Sequence, residues 1–444
     1  MNPPQEGGLS HAPDPGLPGR ALRQAGAVRS AAPPLLRLAR APLARAIERL
    51  NRLVPKTASA VVYGFPASEG NAVEVVRELL AEYAGPVYWL DGEPQALGTV
   101  DPRCVPTARL SVKGLWRYLR AEIVFYTHGL YGDPAPVPGQ VIVNLWHGDG
   151  VKVNGFPAPG ARSIAPADYV VGSSAVLTAR KAEEFGQAPS AALITGNPRT
   201  DQFWRVSAKQ VRDRLPAGLR EGYLVWMPTF RVARAIGGRN GWEDGTSSQD
   251  GQLNAAMRDA VPRLEAAGLP VVVRVHPLDV RRRAIPGTVL ADEAFLERTN
   301  LTTSELLAGS DALITDYSSS WTDYLLLDRP IGFLMPDKQE FARRRGLFPP
   351  DVLDWLPGFD LDGHGLEDFI ADVASGGSFS KHLRSAAADR LQLNPTHTAA
   401  RDLLHELQAR GAFPVSARVQ RHGGRDRAGS AGHGDAGRRS KPRS

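Results

Sequence analysis

Two histidines of this chain stand just after short apolar runs, where a parallel sheet would present them to a ligand. His147 follows the run that ends at Leu145, and it lies between a tryptophan and a glycine. His276 follows the run that begins at Val271, with Arg274 two residues before it. An imidazole titrates near neutral pH, so His147 can accept a proton from a hydroxyl group. Arg274 and His276 can together bind an anionic diphosphate, whereas a structural histidine beside a turn remains the alternative for His147.

We call each place where an apolar run passes into polar residues a junction. Two further junctions offer groups that bind phosphate. Arg231 presents a planar fork of donors and Thr229 a hydroxyl, although an ordinary surface charge remains the alternative for the arginine. Ser318 or Ser319 can cap a helix whose free backbone N–H groups favour an anion. The same Ser-capped junction would also suit any α/β protein, so these residues predict anion binding and no particular substrate.

Residues 196–201 form the fifth junction. A glycine and a proline fix a turn there, and Arg199 can pair with Asp201 to shape the region between domains. We favour a structural role over a catalytic one for this segment.

The pattern of apolar runs predicts the framework that positions these residues. A first series of runs lies at 59–64, 87–90, 123–127, 141–145, 169–172 and 193–195, and a second lies at 223–226, 271–275, 312–315 and 331–334. Apolar runs separated by helical segments are typical of parallel βαβ units. Ligands of such sheets bind beyond the carboxyl ends of the strands. We therefore expect an α/β protein with two doubly wound Rossmann-like domains, at 57–205 and 206–414, that face each other across a cleft.

Composition describes a globular body rather than a membrane-spanning or disordered chain. The 444 residues are 42% hydrophobic and 23% charged, which suits two ordinary domains with tails. The single cysteine, Cys104, excludes an internal disulfide framework and predicts a reducing, cytosolic compartment. No window is apolar enough for a transmembrane helix. Residues 1–34 and 415–444 are rich in small residues, prolines or arginines, and we expect both to be disordered.

Positive charge is concentrated at the two ends of the chain. Residues 1–56 contain nine Lys/Arg and three Asp/Glu, and residues 415–444 contain eight and two, whereas the body between them is acidic overall. This distribution argues against a nucleic acid partner and favours an anionic membrane surface. Residues 35–56 have apolar residues at helical spacing with arginines on other faces, which predicts a basic amphipathic helix. It either rests on anionic lipid or docks on the body with a solvated basic face.

In this order and at this spacing, the five junctions resemble the motifs of the CDP-glycerol glycerophosphotransferase family of teichoic-acid-type polymerases and primases. The matching segments are Trp146-His147-Gly148 with Lys152 and Gly155, Gly196-Asn197-Pro198-Arg199 with Asp201, Pro228-Thr229-Phe230-Arg231, Arg274-Val275-His276-Pro277, and Thr315-Asp316-Tyr317-Ser318-Ser319 with Asp323. Each segment alone is a weak signal, but the joint match from about residue 60 to 340 is specific. The resemblance implies a GT-B-like architecture in which the C-terminal domain holds most of the donor.

The resemblance also implies a reaction. A glycerol phosphate or related polyol phosphate would pass from a CDP-linked donor to the hydroxyl of a lipid-linked or polymer acceptor, with CMP as the product. Neither a metal nor another cofactor is implied, and the enzyme would be peripheral on the cytoplasmic face of the membrane. His147 would be the general base. The substrate-binding residues would be Lys152, Arg199, Thr229, Arg231, Arg274, His276, Asp316, Ser318, Ser319 and Asp323.

The chain departs from the family pattern directly after His147, where Asp149-Gly150 replaces Thr-Pro. We place Asp149 with His147 among the catalytic residues, since an acidic side chain that approaches an imidazole tends to raise its pKa. The departure also allows a different acceptor. Two other functions stay open: a GT-B enzyme that acts on a sugar nucleotide, either a glycosyltransferase or a 2-epimerase, and a non-catalytic scaffold that binds polymer or lipid carrier.

Overall fold

The computed structural model confirms the predicted α/β class. It describes residues 34–67, 70–98, 101–153, 165–229, 247–274, 285–362 and 365–413. The segments predicted to be disordered, 1–34 and 415–444, lie outside the described residues except for Pro34. The strands lie in two sheets, both of them parallel.

Seven strands build the first sheet. They are β1 (Thr57–Tyr63), β2 (Val87–Leu90), β3 (Cys104–Thr107), β4 (Ala121–Tyr126), β5 (Val141–Asn144), β6 (Tyr169–Gly172) and β7 (Ala192–Ile194). Their order across the sheet is β3-β2-β1-β4-β5-β6-β7. The order reverses between β1 and β4, and a doubly wound sheet binds its ligand at this point.

Six strands build the second sheet. They are β8 (Leu224–Met227), β9 (Val271–Val273), β10 (Thr288–Leu290), β11 (Ala312–Thr315), β12 (Ile331–Phe333) and β13 (Phe359–Asp360). Their order, β10-β9-β8-β11-β12-β13, reverses between β8 and β11. The two sheets therefore have the same topology, which confirms the prediction of two doubly wound domains.

Helices cover both faces of each sheet. They are α1 (Pro34–Leu53), α2 (Asn71–Glu82), α3 (Val112–Arg120), α4 (Ala175–Glu184), α5 (Gln202–Arg205), α6 (Ala208–Arg212), α7 (Ser247–Ala266), α8 (Glu293–Thr299), α9 (Thr303–Gly309), α10 (Ser320–Tyr324), α11 (Lys338–Arg345), α12 (Gly365–Ala374), α13 (Lys381–Leu391) and α14 (Ala399–Ala409). None of the helices in these ranges combines the length and apolarity that a membrane crossing requires.

Alternate residues of β1 pack in two apolar cores, one on each face of the sheet, because successive side chains of a strand point to opposite faces. Ala60 and Val62 pack in one core with α2 and α14. Val61 and Tyr63 pack in the other core with α1 and α3. The first sheet thus lies between two helical layers, and both of them include helices from the ends of the chain.

The C-terminal helix α14 corrects the predicted domain boundary. Leu403, Leu404 and Leu407 are fully buried in the same core as α2. The predicted second domain, 206–414, is therefore too long, since its last helix packs on the first domain. Apolar periodicity shows that a helix has a buried face, but it does not show which sheet covers that face.

The segment predicted as a basic helix, 35–56, overlaps α1, which is docked on the body. Ile47 is only 6% exposed and belongs to the core shared with α3. Leu43 and Leu50, from the same predicted stripe, are 51% and 44% exposed. The helix therefore packs through one face and leaves a second apolar face uncovered.

Candidate active site

The candidate site lies beyond the ends of strands that stand at, or next to, the points where sheet order reverses. In the first sheet, Phe65 follows β1 and His128 follows β4, and His147 lies beyond the neighbouring strand β5. In the second sheet, Thr229 follows β8 and Asp316 follows β11. The two domains contact each other through segments on these sides of the sheets.

Hydrogen bonds to its backbone hold the loop that carries His147. The Nδ2 of Asn71, at the start of α2, donates to the carbonyl oxygens of Leu145 at 3.0 Å and Trp146 at 3.2 Å. Asn144 Oδ1 accepts the N–H of Trp146 at 2.8 Å. Trp146 has a φ of 48°, a left-handed conformation that a bulky residue adopts only when its surroundings impose it. These bonds therefore fix a strained turn directly before His147.

The side chain of His147 is exposed and lies in a row of rings. Its imidazole stacks on that of His128, with centroids 5.1 Å apart and planes inclined by 19°. The indole of Trp146 contacts it at 4.2 Å, and Phe65 meets His128 edge-on at 5.6 Å. The ring of His147 is thus oriented by its neighbours although the residue is exposed.

His128 is the less exposed partner of this pair. Thr127 Oγ1 lies 2.8 Å from its Nδ1 and accepts the N–H of Phe65 at 3.1 Å. A hydrogen bond thus joins Thr127 to His128, and the tautomer of the imidazole decides which of the two groups donates. Burial lowers the pKa of His128 to about 4, so this imidazole is neutral at pH 7.

The predicted pair of Arg199 with Asp201 is wrong, because Arg199 pairs instead with Asp323 of the second domain. Its Nε lies 2.6 Å from Asp323 Oδ2, and its Nη1 donates to the carbonyl oxygen of His147 at 2.9 Å. Asp201 accepts the first two backbone N–H groups of α14, at 2.6 and 3.0 Å, and so caps this helix. Burial outweighs these two bonds and raises the pKa of Asp201 to about 7.

Close packing surrounds this interdomain ion pair. Asn197 Nδ2 donates to Asp323 Oδ1 at 2.9 Å, and burial raises the pKa of Asp323 although Arg199 and Asn197 oppose the rise. Gly148, at a φ of 108°, lies against the guanidinium of Arg199, and a Cβ at this position would collide with it. The glycine after His147 is therefore required by both its backbone conformation and the lack of space.

Asp149 points into the interior and binds Lys181 of α4. The Lys181 Nζ lies 2.6 Å from Asp149 Oδ1, and the N–H and hydroxyl of Ser173 donate to Oδ2 at 2.5 and 2.9 Å. Burial opposes ionisation, but Lys181 and Ser173 outweigh it and hold the pKa of Asp149 below its usual value. The contacts that the structure gives this carboxylate do not include His147, so we now assign Asp149 a structural role in place of a catalytic one.

The Asp149-Gly150 departure also fits the domain interface. Thr322 Oγ1 of α10 donates to the backbone carbonyl of Asp149 at 2.6 Å. A Cβ at Gly150 would lie 3.2 Å from that of Ser319, so a side chain here would crowd the second domain. Asp149 therefore bonds to the second domain through its backbone, and Gly150 leaves the space that Ser319 needs.

In the second domain, Thr229 and Asp316 lie together between β8 and β11. Asp316 Oδ1 accepts the N–H of Thr229 at 2.9 Å and its hydroxyl at 2.6 Å. Arg274, after β9, is 4% exposed and donates to the carbonyl of Ala291 at 3.1 Å. Its Nη1 also lies 3.4 Å from Glu293 Oε1.

Ser318 and Ser319 are partly buried before α10. Ser319 occupies the predicted N-cap position, but its side chain forms no capping hydrogen bond. The hydroxyl of Ser318 accepts the N–H of Ser320 at 3.4 Å. All five residues of α10 are buried.

Lys152 lies in a second contact between the domains. It pairs in an antiparallel bridge with Leu347, and Val151 O accepts the N–H of Phe348 at 2.8 Å. Lys152 and Arg180 line a pocket between this strand-like contact and the His147 loop. Arg231 and His276, which the sequence placed in the donor site, lie outside the described residues.

The sequence matches the model of one protein family over most of its length. The model for CDP-Glycerol:Poly(glycerophosphate) glycerophosphotransferase matches residues 47–392. The chain belongs to this family. The five motifs that carried the resemblance all lie within the matched segment.

Relatives of this glycerophosphotransferase-family chain include enzymes of teichoic acid synthesis. A teichoic acid ribitol-phosphate primase of Bacillus spizizenii is 29% identical over 239 residues, 49% of this chain and 57% of the primase. A teichoic acid poly(ribitol-phosphate) polymerase of the same organism is 28% identical over 231 residues, 49% of this chain and 35% of the polymerase. The chain thus spans little more than half of the primase and about a third of the polymerase.

Solved structures agree with the fold. The wall teichoic acid polymerase TagF has a TM-score of 0.62 and 18% identity, over 86% of this chain and 99% of that chain. At this identity the likeness supports the GT-B-like two-domain fold and nothing finer.

Three residues that contact the motif loops were not recognised from the sequence, namely Asn71, His128 and Lys181. His128 directly follows the apolar run 123–127, so the rule that selected His147 would have found it. Asn71 and Lys181 begin or lie within helices and carry no such signal. Within the described ranges, no group of three or more His, Cys, Asp or Glu residues is placed to hold a metal ion.

Proposed function

We propose that this chain is a CDP-polyol phosphotransferase of teichoic-acid-like polymer synthesis. It transfers glycerol phosphate, or a related polyol phosphate, from a CDP-linked donor to a hydroxyl of a lipid-linked or polymer acceptor. The observation that carries the proposal is the interdomain contact of three family motifs: Arg199 bonds both to the loop of His147 and to Asp323. A TagF structure soaked with CDPG is consistent with a CDP-linked donor.

His147 acts as the general base of this reaction. Its exposed imidazole takes the proton of the acceptor hydroxyl as the oxygen attacks the phosphorus that carries the polyol. A new P–O bond forms to the acceptor, and the bond between this phosphorus and the oxygen that bridges to CMP breaks. CMP leaves with the bridging oxygen. The transfer needs in-line positioning and charge neutralisation more than covalent catalysis.

The second domain holds the donor in this proposal. Thr229 and Asp316 occupy the switch point of the second sheet, and Ser319, which follows Ser318, borders the interface with the His147 loop. Arg231, Arg274 and His276 are the basic residues proposed for the diphosphate. The first domain supplies the acceptor side, with Lys152 in the pocket that Arg180 also lines.

A donor assay tests the reaction. The purified chain is incubated with CDP-glycerol, CDP-ribitol and UDP-sugars and a glycerol-phosphate-primed lipid acceptor, and the released nucleotide is identified by chromatography. Release of CMP that depends on the acceptor is expected, and His147→Ala should bind the donor but lose turnover. Release of UDP would support a sugar-nucleotide enzyme instead, and donor binding without turnover by the wild type would support a scaffold.

We also propose that the enzyme works as a peripheral protein on the cytoplasmic face of an anionic membrane. Nine large apolar side chains are exposed in the described part of the chain, and six of them lie on α1 or at the start of α3. They are Leu43, Leu50, Leu53, Leu110, Val112 and Trp116. Exposed arginines lie on the adjacent side of α1, and Arg120 packs over Trp116 at 5.5 Å. Apolar anchors flanked by arginines suit an anionic bilayer surface.

Vesicle sedimentation tests this surface. Serine at Leu53, Leu110 and Val112 together should reduce binding to phosphatidylglycerol vesicles, with less effect on neutral phosphatidylcholine vesicles, which bind weakly from the start. Phe379→Ser is the matched control, because Phe379 is 58% exposed but lies on the second domain. Equal sedimentation of the triple variant and the wild type would refute the proposal.

A further inference from the structure

The side chain of Asn71 makes three hydrogen bonds beneath the proposed base. Asn71 is 2% exposed, and its Nδ2 donates to the carbonyl oxygens of Leu145 and Trp146. Its Oδ1 accepts the backbone N–H of Arg199 at 3.0 Å. Both ends of the amide are therefore used, and only a side chain with a donor and an acceptor at this place can do so without charge.

These bonds join two loops that come from distant parts of the chain. One loop carries His147, and the other carries Arg199, whose guanidinium donates to the carbonyl of His147 and pairs with Asp323. The carbonyl groups of three successive residues, 145–147, thus accept bonds from Asn71 or from the arginine that Asn71 holds. The position of the imidazole depends on this shared support, because the turn before it is strained.

We propose that Asn71 is a positioning residue for His147. The inference rests on the proposed function of His147 as the base. Asn71 acts through the backbone, because it holds the carbonyl groups of the loop that carries His147. The position of this loop sets the distance from the imidazole to the acceptor hydroxyl. A misplacement of about 1 Å at such a centre lowers the rate about 100-fold.

Asn71→Asp separates the donor function from the acceptor function of this side chain. The aspartate keeps the shape and can still accept from Arg199, but it puts an oxygen against the carbonyls of Leu145 and Trp146. We expect kcat for CMP release to fall between about 10-fold and 100-fold. The KM for CDP-glycerol should stay within about twofold, because the donor lies on the other domain.

Asn51→Asp is the matched control. Asn51 is also fully buried in the first domain, and its Nδ2 donates to Gln140 Oε1 at 2.8 Å, at the opposite end of β5 from His147. Its substitution should lower the melting temperature without lowering kcat at 25 °C. An equal loss of kcat in both variants, or none in Asn71→Asp, would overturn the proposal.

A measurement without substrate keeps the two proposals separate. The ¹H–¹⁵N signals of the His147 ring, assigned with His147→Gln, should shift in Asn71→Asp and not in Asn51→Asp. If the wild type releases no CMP, the proposed function fails, but this shift still decides whether Asn71 positions the ring. Unshifted signals in Asn71→Asp would refute the positioning role.

The stack between His128 and His147 carries a second inference independently. The two rings lie nearly parallel, and His128 has its Nδ1 directed to the hydroxyl of Thr127. We propose that the neutral face of His128 stabilises the imidazolium that forms on His147 when it takes the acceptor proton. A cation within about 6 Å of an aromatic centroid is attracted by the ring face. This proposal too rests on His147 as the base.

Two apolar replacements at His128 separate this effect from packing. His128→Phe keeps an aromatic face in the buried position, whereas His128→Leu fills the space without one. We expect kcat to fall about tenfold in His128→Leu and by less than about threefold in His128→Phe, at similar melting temperatures. Equal loss in both variants, or no loss in either, would overturn the proposal, whereas an inactive wild type would count against the proposed function. In that case the His147 ring signals must still titrate at lower pH in His128→Leu than in His128→Phe.

Discussion

The guanidinium of Arg199 and the carboxylate of Asp323 form an ion pair that joins the two domains directly behind His147. Asp323 is 3% exposed, whereas the Arg199 side chain still reaches solvent at 21%. The same guanidinium donates to the carbonyl of His147. The contact between the two domains and the position of His147, the proposed base, therefore depend on the same side chain.

Removal of one partner of this pair should be more harmful than removal of both. Arg199→Ala leaves the Asp323 carboxylate buried without its cation, which costs about 3–5 kcal/mol of unfolding free energy. Arg199→Ala with Asp323→Asn should recover a large part of that loss, because Asn197 still donates to position 323. Urea unfolding of both single variants and the double variant measures the coupling. Additive losses would show that the pair contributes no interaction energy.

The pair of Asp149 and Lys181 should behave as a structural unit. Lys181→Met leaves the fully buried Asp149 carboxylate with Ser173 as a partner but without a cation, at a cost of about 3–5 kcal/mol. Asp149→Asn with Lys181→Met should regain most of this stability. CMP release by the double variant should fall with its folded fraction and no further. A folded double variant without turnover would restore Asp149 to the catalytic residues.

Asp201 should make the free energy of unfolding depend on pH between about 4 and 7. Burial raises its pKa to about 7, against about 3.9 in an unfolded chain, so the folded protein holds this proton more tightly. Its contribution is complete below pH 4 or so and is lost as the pH rises to about 7, by roughly 1.4 kcal/mol per pH unit. The melting temperature of Asp201→Asn relative to wild type should therefore increase from pH 5 to pH 8. The surface substitution Asp213→Asn is the control, and an equal change in both would contradict the assignment.

The hydroxyl of Thr229 should matter for the donor. Thr229→Val removes the 2.6 Å bond to Asp316 but keeps the shape, and a bond to a charged group contributes about 1.5–3 kcal/mol. We expect the KM for CDP-glycerol to rise about tenfold or more, because the Asp316 carboxylate is no longer held in place by this hydroxyl. Thr229→Ser should restore the wild-type KM. Isothermal titration with CDP-glycerol checks whether the change lies in binding, and an unchanged KM in Thr229→Val would exclude this role.

Local patterns in the sequence were sufficient to predict most strands of the two sheets. All ten predicted apolar runs fall on strands, because a strand buried on both faces needs an unbroken apolar run. The strands that were not predicted, β3, β10 and β13, all lie at sheet edges. Edge strands are short and only partly covered, and β3 even contains a proline, so their sequences lack that run.

The sequence by itself determined the family, the two-domain topology and the loops that carry His147, Thr229 and Asp316, since each of these follows from residues adjacent in the chain. Only the tertiary structure decided which side chains meet. The partner of Arg199 is 124 positions away, and Asn71 reaches a loop 74 positions away. Such contacts depend on how separate elements pack, and hydrophobic periodicity carries no information about the partner of a buried polar group. For that reason the domain tie at Asp323, the interior role of Asp149 and the support of His147 emerged only from the folded chain.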